Sequence, residues 1–141
     1  MTDPIATPTR RVWVIEDNPD HAVLIASQLE LVPQIAGVTV TPDGEQALHW
    51  IEAWPQVVRD EMPGMVLLDL ELPRVDGADV LRALRASTAW RAVPVVVLTT
   101  SAMPSDRETC LKIGADAYLT KGSDLPRLAD RVRPFMSHWR H

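Results

Sequence analysis

The chain contains a single cysteine, Cys110, among its 141 residues. One cysteine excludes an internal disulfide and a zinc site built from several cysteines. Residues 1–10 carry two prolines and lack the apolar stretch of a signal peptide, so we expect a flexible N-terminal tail there. No apolar run approaches the roughly 20 residues that cross a bilayer. These absences favour a cytoplasmic protein with no membrane partner.

Positive charge is also scarce in this chain. Lys and Arg number 14 against 19 Asp and Glu, which gives a formal net charge of −5. Such a surface repels a phosphate backbone, so we expect no nucleic-acid partner. The four histidines show no spacing typical of a metal site. The length fits one domain, which we assign to residues 11–141, with no second domain after it.

Five short apolar runs alternate with amphipathic stretches along the chain. The runs lack the polar alternation of a half-exposed strand, which indicates strands buried on both faces of a sheet. A parallel sheet with helices on both faces has this pattern, so we expect a doubly wound α/β fold. The expected strands cover residues 11–16, 38–41, 65–70, 94–99 and 117–120.

The expected helices lie between these strands and after the last one. Asn18 and Pro19 are the N-cap and first residue of the first helix, and residues 55–63 indicate the end of the second helix plus a loop. The remaining signals are a helix over 77–87, a capping box of Ser105 and Glu108, a stop at Gly114, a cap at Ser123 and an interruption at Pro134.

Polar residues stand at the carboxyl ends of four of the strands. They are Glu16 and Asp17, then Asp69, Thr99 and Lys121. In a doubly wound sheet these ends meet at one crevice. Three carboxylates there repel one another and require a cation, and all-oxygen ligation favours Mg²⁺. A carboxylate beside a metal, a lysine and a hydroxyl is what phosphoryl transfer to an aspartate requires, with Asp69 as the acceptor.

The segments around these residues resemble the receiver domains of bacterial response regulators. The matching motifs are V-I-E-D-N at 14–18, L-L-D-L-E-L-P-R-V-D-G at 67–77, V-V-V-L-T-T-S at 95–101 and Y-L-T-K at 118–121. The resemblance spans about residues 11–133. It implies a flavodoxin-like receiver fold, with five parallel strands in the order 2-1-3-4-5 and five helices, and a chain that signals without an output domain.

The resemblance also implies a role for each site residue. Asp69 would accept a phosphoryl group from a histidine kinase, and Lys121 would offset the charge of that group. The metal ligands would be Glu16, Asp17, Asp69 and the backbone carbonyl of Glu71. The switch residues would be Thr99 and Tyr118, which remodel the surface of the fourth helix, fifth strand and fifth helix.

Two features suggest partners for the chain. The R-V-D-G and L-T-T-S forms, with a tryptophan near the C-terminus, are similar to small regulators paired with bacteriophytochrome kinases. The last helix carries an apolar stripe that continues past Pro134 to Phe135, Met136 and Trp139. Coverage by the chain's own core should fade there, so we expect a homodimer through this helix.

The chain departs from the family pattern at three places. Gly122 stands where a proline with a cis bond usually follows the lysine, and Thr100 replaces a smaller residue. About eight additional residues lie around 54–64, which we interpret as a longer loop.

Three other functions remain open at this point. An aspartate-nucleophile phosphatase needs an acid two residues after the nucleophile, and Glu71 occupies that position. A flavin or nucleotide carrier shares this architecture, although the chain lacks a G-x-G-x-x-G motif. A degenerate receiver would bind partners only, although the acid, hydroxyl and lysine positions are all filled.

Overall fold

The computed structural model describes residues 9–57, 62–136 and 139. Five parallel strands form one sheet in the order β2-β1-β3-β4-β5. The strands are β1 Arg10–Ile15, β2 Ile35–Thr41, β3 Met65–Leu68, β4 Val95–Thr99 and β5 Ala117–Thr120. The predicted fold class and strand order are therefore confirmed.

Helices connect the strands and cover both faces of the sheet. They are α1 Pro19–Leu29, α2 Gly44–Val57, α3 Gly77–Ala86, α4 Pro104–Ile113, α5 Lys121–Asp124 and α6 Leu128–Val132. The last two are joined and continued by 3-10 turns at Leu125–Arg127 and Arg133–Met136, so the fifth helix of the prediction is in pieces. Within the described residues, no helix has the length and apolar character that a membrane crossing requires.

Side chains of successive strand residues face opposite sides of the sheet. Val12 and Val14 of β1 pack with α1 and the C-terminal helical segment (residues 121–136). Trp13 and Ile15 pack on the other side, with α2, α3 and α4. Both faces of the sheet are therefore buried under helices, which explains why the strand sequences are continuous apolar runs.

Two predicted helix caps are wrong. Helix α4 begins at Pro104 with Met103 as N-cap, because proline has the fixed φ that suits a first helical residue, and Ser105 is already inside. The C-terminal helical segment begins at Lys121, before Ser123. There the Asp124 carboxylate accepts the Thr120 N–H at 2.9 Å, a contact that ties down the helix start without a serine cap.

Strand β3 ends at Leu68, two residues before its predicted end, and the boundaries of β2 and α2 also differ from the prediction. Strand β2 begins at Ile35, three residues early, because it is an edge strand with few buried side chains and a weak apolar signal. Helix α2 continues through Pro55 to Val57. Pro55 has no N–H to donate to the Ile51 carbonyl, but the Trp90 indole N–H donates to that carbonyl at 2.8 Å. Of the rest of the predicted loop, residues 58–61 lie outside the described residues, and residues 62 and 63 are in neither helix nor strand.

Trp139 contradicts the expectation that core coverage fades after Pro134. Its side chain is only 4% exposed and packs with the core that includes Met136. Its indole N–H donates to the Gly64 carbonyl at 3.0 Å, just before β3 begins. A side chain at Gly64 would collide with this indole, so glycine and tryptophan fit one another. Trp139 is thus part of the chain's own core.

We expect Trp139→Ala to lower the free energy of unfolding by about 3–5 kcal/mol, because a large buried ring is replaced by a cavity. Trp139→Phe keeps a ring but leaves the Gly64 carbonyl without its donor, so the loss should be about 1–3 kcal/mol. The measurement is urea unfolding followed by circular dichroism. Trp50→Ala, which removes a 39% exposed indole, is the control and should lose much less. Equal losses at positions 50 and 139 would contradict this packing.

Candidate functional site

The strand register brings the predicted acidic residues together. Ile15 of β1 pairs with Leu68 of β3, so the next residues, Glu16 and Asp69, leave the sheet at the same level. The Asp69 N–H donates to the Ile15 carbonyl at 3.0 Å, which holds the two strand ends side by side. Both side chains are buried, with exposed fractions of 2% for Glu16 and 5% for Asp69.

Lys121 joins this pair from β5, two strands away from β3. Thr99 of β4 pairs with Thr120, so Lys121 follows directly beyond the end of the sheet. Its Nζ atom lies 2.9 Å from Asp69 Oδ2 and 2.6 Å from Glu16 Oε1. No described peptide bond is cis, so Lys121 reaches both carboxylates with a trans bond before Gly122.

The charges in this crevice are not balanced. Glu16, Asp17 and Asp69 offer carboxylate oxygens within 4.8 Å of one another, and Lys121 supplies a single ammonium. Burial raises the pKa of Glu16, and this effect exceeds the lowering by the Lys121 ammonium and the Asn18 N–H. Burial lowers the pKa of Lys121, but the two carboxylates raise it more, so it stays above its ordinary value and the lysine stays charged.

A divalent cation fits this donor set. Glu16 Oε1 is buried and lies 2.6 Å from the Lys121 ammonium, and its remaining lone pair is open to a cation. Asp17 is exposed, so the cluster opens to solvent on one side. Hard carboxylate oxygens, one side open to water, are what Mg²⁺ prefers.

The two predicted switch residues lie on β4 and β5. Thr99 is fully buried, and its Oγ1 accepts the Ser101 N–H at 3.4 Å. Tyr118 is also buried, and its hydroxyl donates to the Ser101 carbonyl at 2.9 Å. The two predicted switch residues are therefore joined through the Ser101 backbone.

The loop after β3 contacts the Asp69 carboxylate. The Glu71 N–H donates to Asp69 Oδ1 at 3.2 Å, and Thr100 Oγ1 donates to the Glu71 carboxylate at 3.1 Å. Thr100, which is larger than the residue usual in the family, thus links the loops after β3 and β4.

Sequence reasoning missed two residues of the site. His21 had no assigned role, yet its Nδ1 lies 2.9 Å from Lys121 Nζ. Gly77 begins α3 against the backbone of Asp69 and Leu70, and a Cβ there would overlap the Asp69 carbonyl. The Asp76 N-cap marks the start of α3, but this close approach has no local sequence signal.

Comparison with known proteins agrees with this geometry. The family model described as the response regulator receiver domain matches residues 12–133. The chain belongs to this family. A probable methanogenesis regulatory protein, FilR2 of Methanothrix harundinacea, is 35% identical over 131 residues, covering 91% of this chain and 84% of that protein. Receiver domains bind Mg²⁺, and Mg²⁺ is the cofactor of this chain.

Two other similar proteins are the response regulators Rcp1 and RcpA. Response regulator Rcp1 of Synechocystis is 28% identical and covers 95% of this chain and 91% of its own length. Its Mn²⁺-bound crystal structure matches with a TM-score of 0.75. The phosphorylated cyanobacterial phytochrome response regulator RcpA matches with a TM-score of 0.78 at 27% identity, covering 93% of this chain and 94% of that one.

We expect Mg²⁺ to stabilise the folded receiver, because it offsets the crowded carboxylates and has no such site in the unfolded chain. At ten times its dissociation constant, the gain should be about 1.4 kcal/mol. This corresponds to a rise in melting temperature of about 4 °C, measured by calorimetry. Asp17→Asn should abolish the rise, whereas Asp130→Asn, on α6 in the C-terminal helical segment, should retain it. A rise of equal size in Asp17→Asn would place the cation elsewhere.

Proposed function

We propose that this chain is a response regulator that accepts a phosphoryl group on Asp69 from the phosphohistidine of a histidine kinase. The observation that carries the proposal is the buried Asp69 carboxylate held between Lys121 and the Glu71 N–H. In the transfer, an Asp69 oxygen forms a bond to phosphorus while the phosphorus–nitrogen bond of the phosphohistidine breaks. The bonding electrons stay with the imidazole that leaves.

The residues of this chain position and stabilise the transferred group. Glu16, Asp17 and Asp69, with the backbone carbonyl of Glu71, would hold Mg²⁺, which supplies positive charge for the phosphoryl oxygens. The Lys121 ammonium already contacts Asp69 and offsets charge on the same side. Positioning and charge stabilisation supply most of the rate in this class of reaction.

The phosphoryl group brings a charge of about −1.5 to −2 into the crevice. Thr99 carries the hydroxyl group of β4, and in this structure its oxygen accepts the Ser101 N–H. If the Thr99 side chain rotates to donate to the phosphoryl group, its oxygen moves away from the Ser101 N–H. The Tyr118 hydroxyl donates to the carbonyl of the same residue, Ser101, so the surface of α4, β5 and the C-terminal helical segment would change with it.

A bacteriophytochrome is the kinase we propose as partner. The description of RcpA as a phytochrome response regulator supports this pairing by analogy. The cytoplasmic location and the homodimer remain predictions. Trp139 is buried in its own chain, so it is not available for a dimer interface. A homodimer would have to use other residues of the C-terminal region.

The phosphatase alternative is disfavoured by the position of Glu71. A general acid must reach the leaving group, but the Glu71 carboxylate is bonded to Thr100. The contact weighs against Glu71 as the general acid of a phosphatase.

We expect Asp69→Asn to abolish phosphoryl uptake from acetyl phosphate, because the amide is a poor nucleophile. Intact-mass spectrometry counts one added phosphoryl group in the parent protein when Mg²⁺ is present and none after chelation. Asp20→Asn removes an exposed carboxylate from the first turn of α1 and should label normally. Labelling of Asp69→Asn to the parental level would refute the assignment.

We also expect Thr99→Ala to bind beryllofluoride without the full response of Tyr118. The chain has one tyrosine, so the ring signals in its NMR spectrum report Tyr118 alone. Saturating Mg²⁺ and beryllofluoride should shift these signals in the parent protein and in Thr99→Ser, which keeps the hydroxyl. In Thr99→Ala the shift should fall to less than half, since the donor is gone. A full shift in Thr99→Ala would exclude the route through Ser101.

A further inference from the structure

His21 contacts the site lysine although it lies 100 residues away along the chain. It sits in the first turn of α1, half-buried, and its backbone is fixed by the helix cap. The Asn18 side chain accepts the N–H groups of Asp20 and His21 at 2.9 and 3.2 Å. The cap therefore holds the imidazole above the crevice, with Nδ1 at 2.9 Å from Lys121 Nζ.

The direction of this hydrogen bond follows from the chemistry of the two groups. An ammonium has only donors, so Nδ1 of His21 must be the acceptor. The ring is then neutral and carries its proton on Nε2. His21 thus differs from the other partners of Lys121, Glu16 and Asp69, because it accepts a hydrogen bond without adding a negative charge.

The contact of Lys121 with neutral His21 is also the one that the proposed reaction leaves unchanged. Asp69 loses its carboxylate charge when it becomes an acyl phosphate, and Glu16 would also serve as a ligand of the metal. Lys121 has a flexible four-carbon side chain, so its ammonium needs a fixed partner to stay in one place. His21 is therefore the contact that can keep the ammonium over the crevice when both carboxylates change partner.

We propose that His21 is a positioning residue that holds Lys121 over the phosphoryl-accepting carboxylate. The proposal rests on the phosphoacceptor function proposed above. His21 itself does not touch the transferred group, and it acts through the lysine by restricting where the ammonium can go.

The first test observes the contact without metal or phosphoryl donor. The chain has two lysines, Lys112 and Lys121, so their side-chain ¹⁵N signals are readily assigned. The buried Lys121 ammonium should give a slowly exchanging signal, and His21 Nδ1 should have the ¹⁵N shift of an unprotonated ring nitrogen. In His21→Ala the Lys121 signal should broaden or shift. His21→Asn, whose Oδ1 stands near the place of Nδ1, should restore it.

The second test measures the rate of phosphoryl uptake from acetyl phosphate in single turnover with saturating Mg²⁺. We expect His21→Ala to slow uptake by about tenfold, the effect of losing one hydrogen bond to a charged group. His21→Asn should recover most of the rate. His49→Ala, at an exposed histidine of α2, is the control and should behave as the parent protein.

The outcomes separate this inference from the proposed function. If the parent protein labels Asp69 and His21→Ala matches it in rate and in the Lys121 signal, the positioning role is wrong and the phosphoacceptor function stands. If folded His21→Asn resembles His21→Ala, the acceptor at this position is not what matters, and the role is again wrong. If the parent protein takes up no phosphoryl group, the proposed function fails, while the ¹⁵N signals still decide the contact.

Discussion

One buried ammonium beside crowded carboxylates is the interaction on which the site depends. Lys121 contacts Glu16 and Asp69, and all three side chains are nearly inaccessible to water. Charges in such a place are tolerated only when they are paired. The pairing is incomplete, because Asp17 adds a third carboxylate. The residual negative charge is what gives the crevice its affinity for a divalent cation, and the cation in turn makes room for an anionic group.

The fold makes this arrangement possible by bringing distant segments to one edge of a sheet. The order β2-β1-β3-β4-β5 places the ends of β1, β3, β4 and β5 next to one another. The apolar faces of the strands supply the free energy of folding, while their polar ends take little part in packing. The tryptophans show how complete this burial is, since the Trp90 indole even satisfies the carbonyl that Pro55 leaves free.

The sheet and the acidic site could be predicted from the sequence because both follow from local patterns. Each buried strand is a short apolar run, and each polar residue comes directly after one. The predicted caps at Ser105 and Ser123 were wrong because both helices begin earlier. Pro104 is the first residue of α4, and Asp124 accepts the Thr120 N–H at the start of α5. His21 was missed for another reason. Its contact with Lys121 joins the two ends of the chain, and such contacts leave no periodicity in a single sequence.

The buried indole of Trp139 affects how the domain unfolds. It fastens the end of the C-terminal region to Gly64, beside β3, the middle strand of the sheet. Segments with few buried contacts usually open first. Detachment of the segment that carries Trp139 would expose the core beside β3. We therefore expect this segment to open only when the whole domain unfolds. Amide hydrogens near residue 136 would then exchange as slowly as those of the central strands.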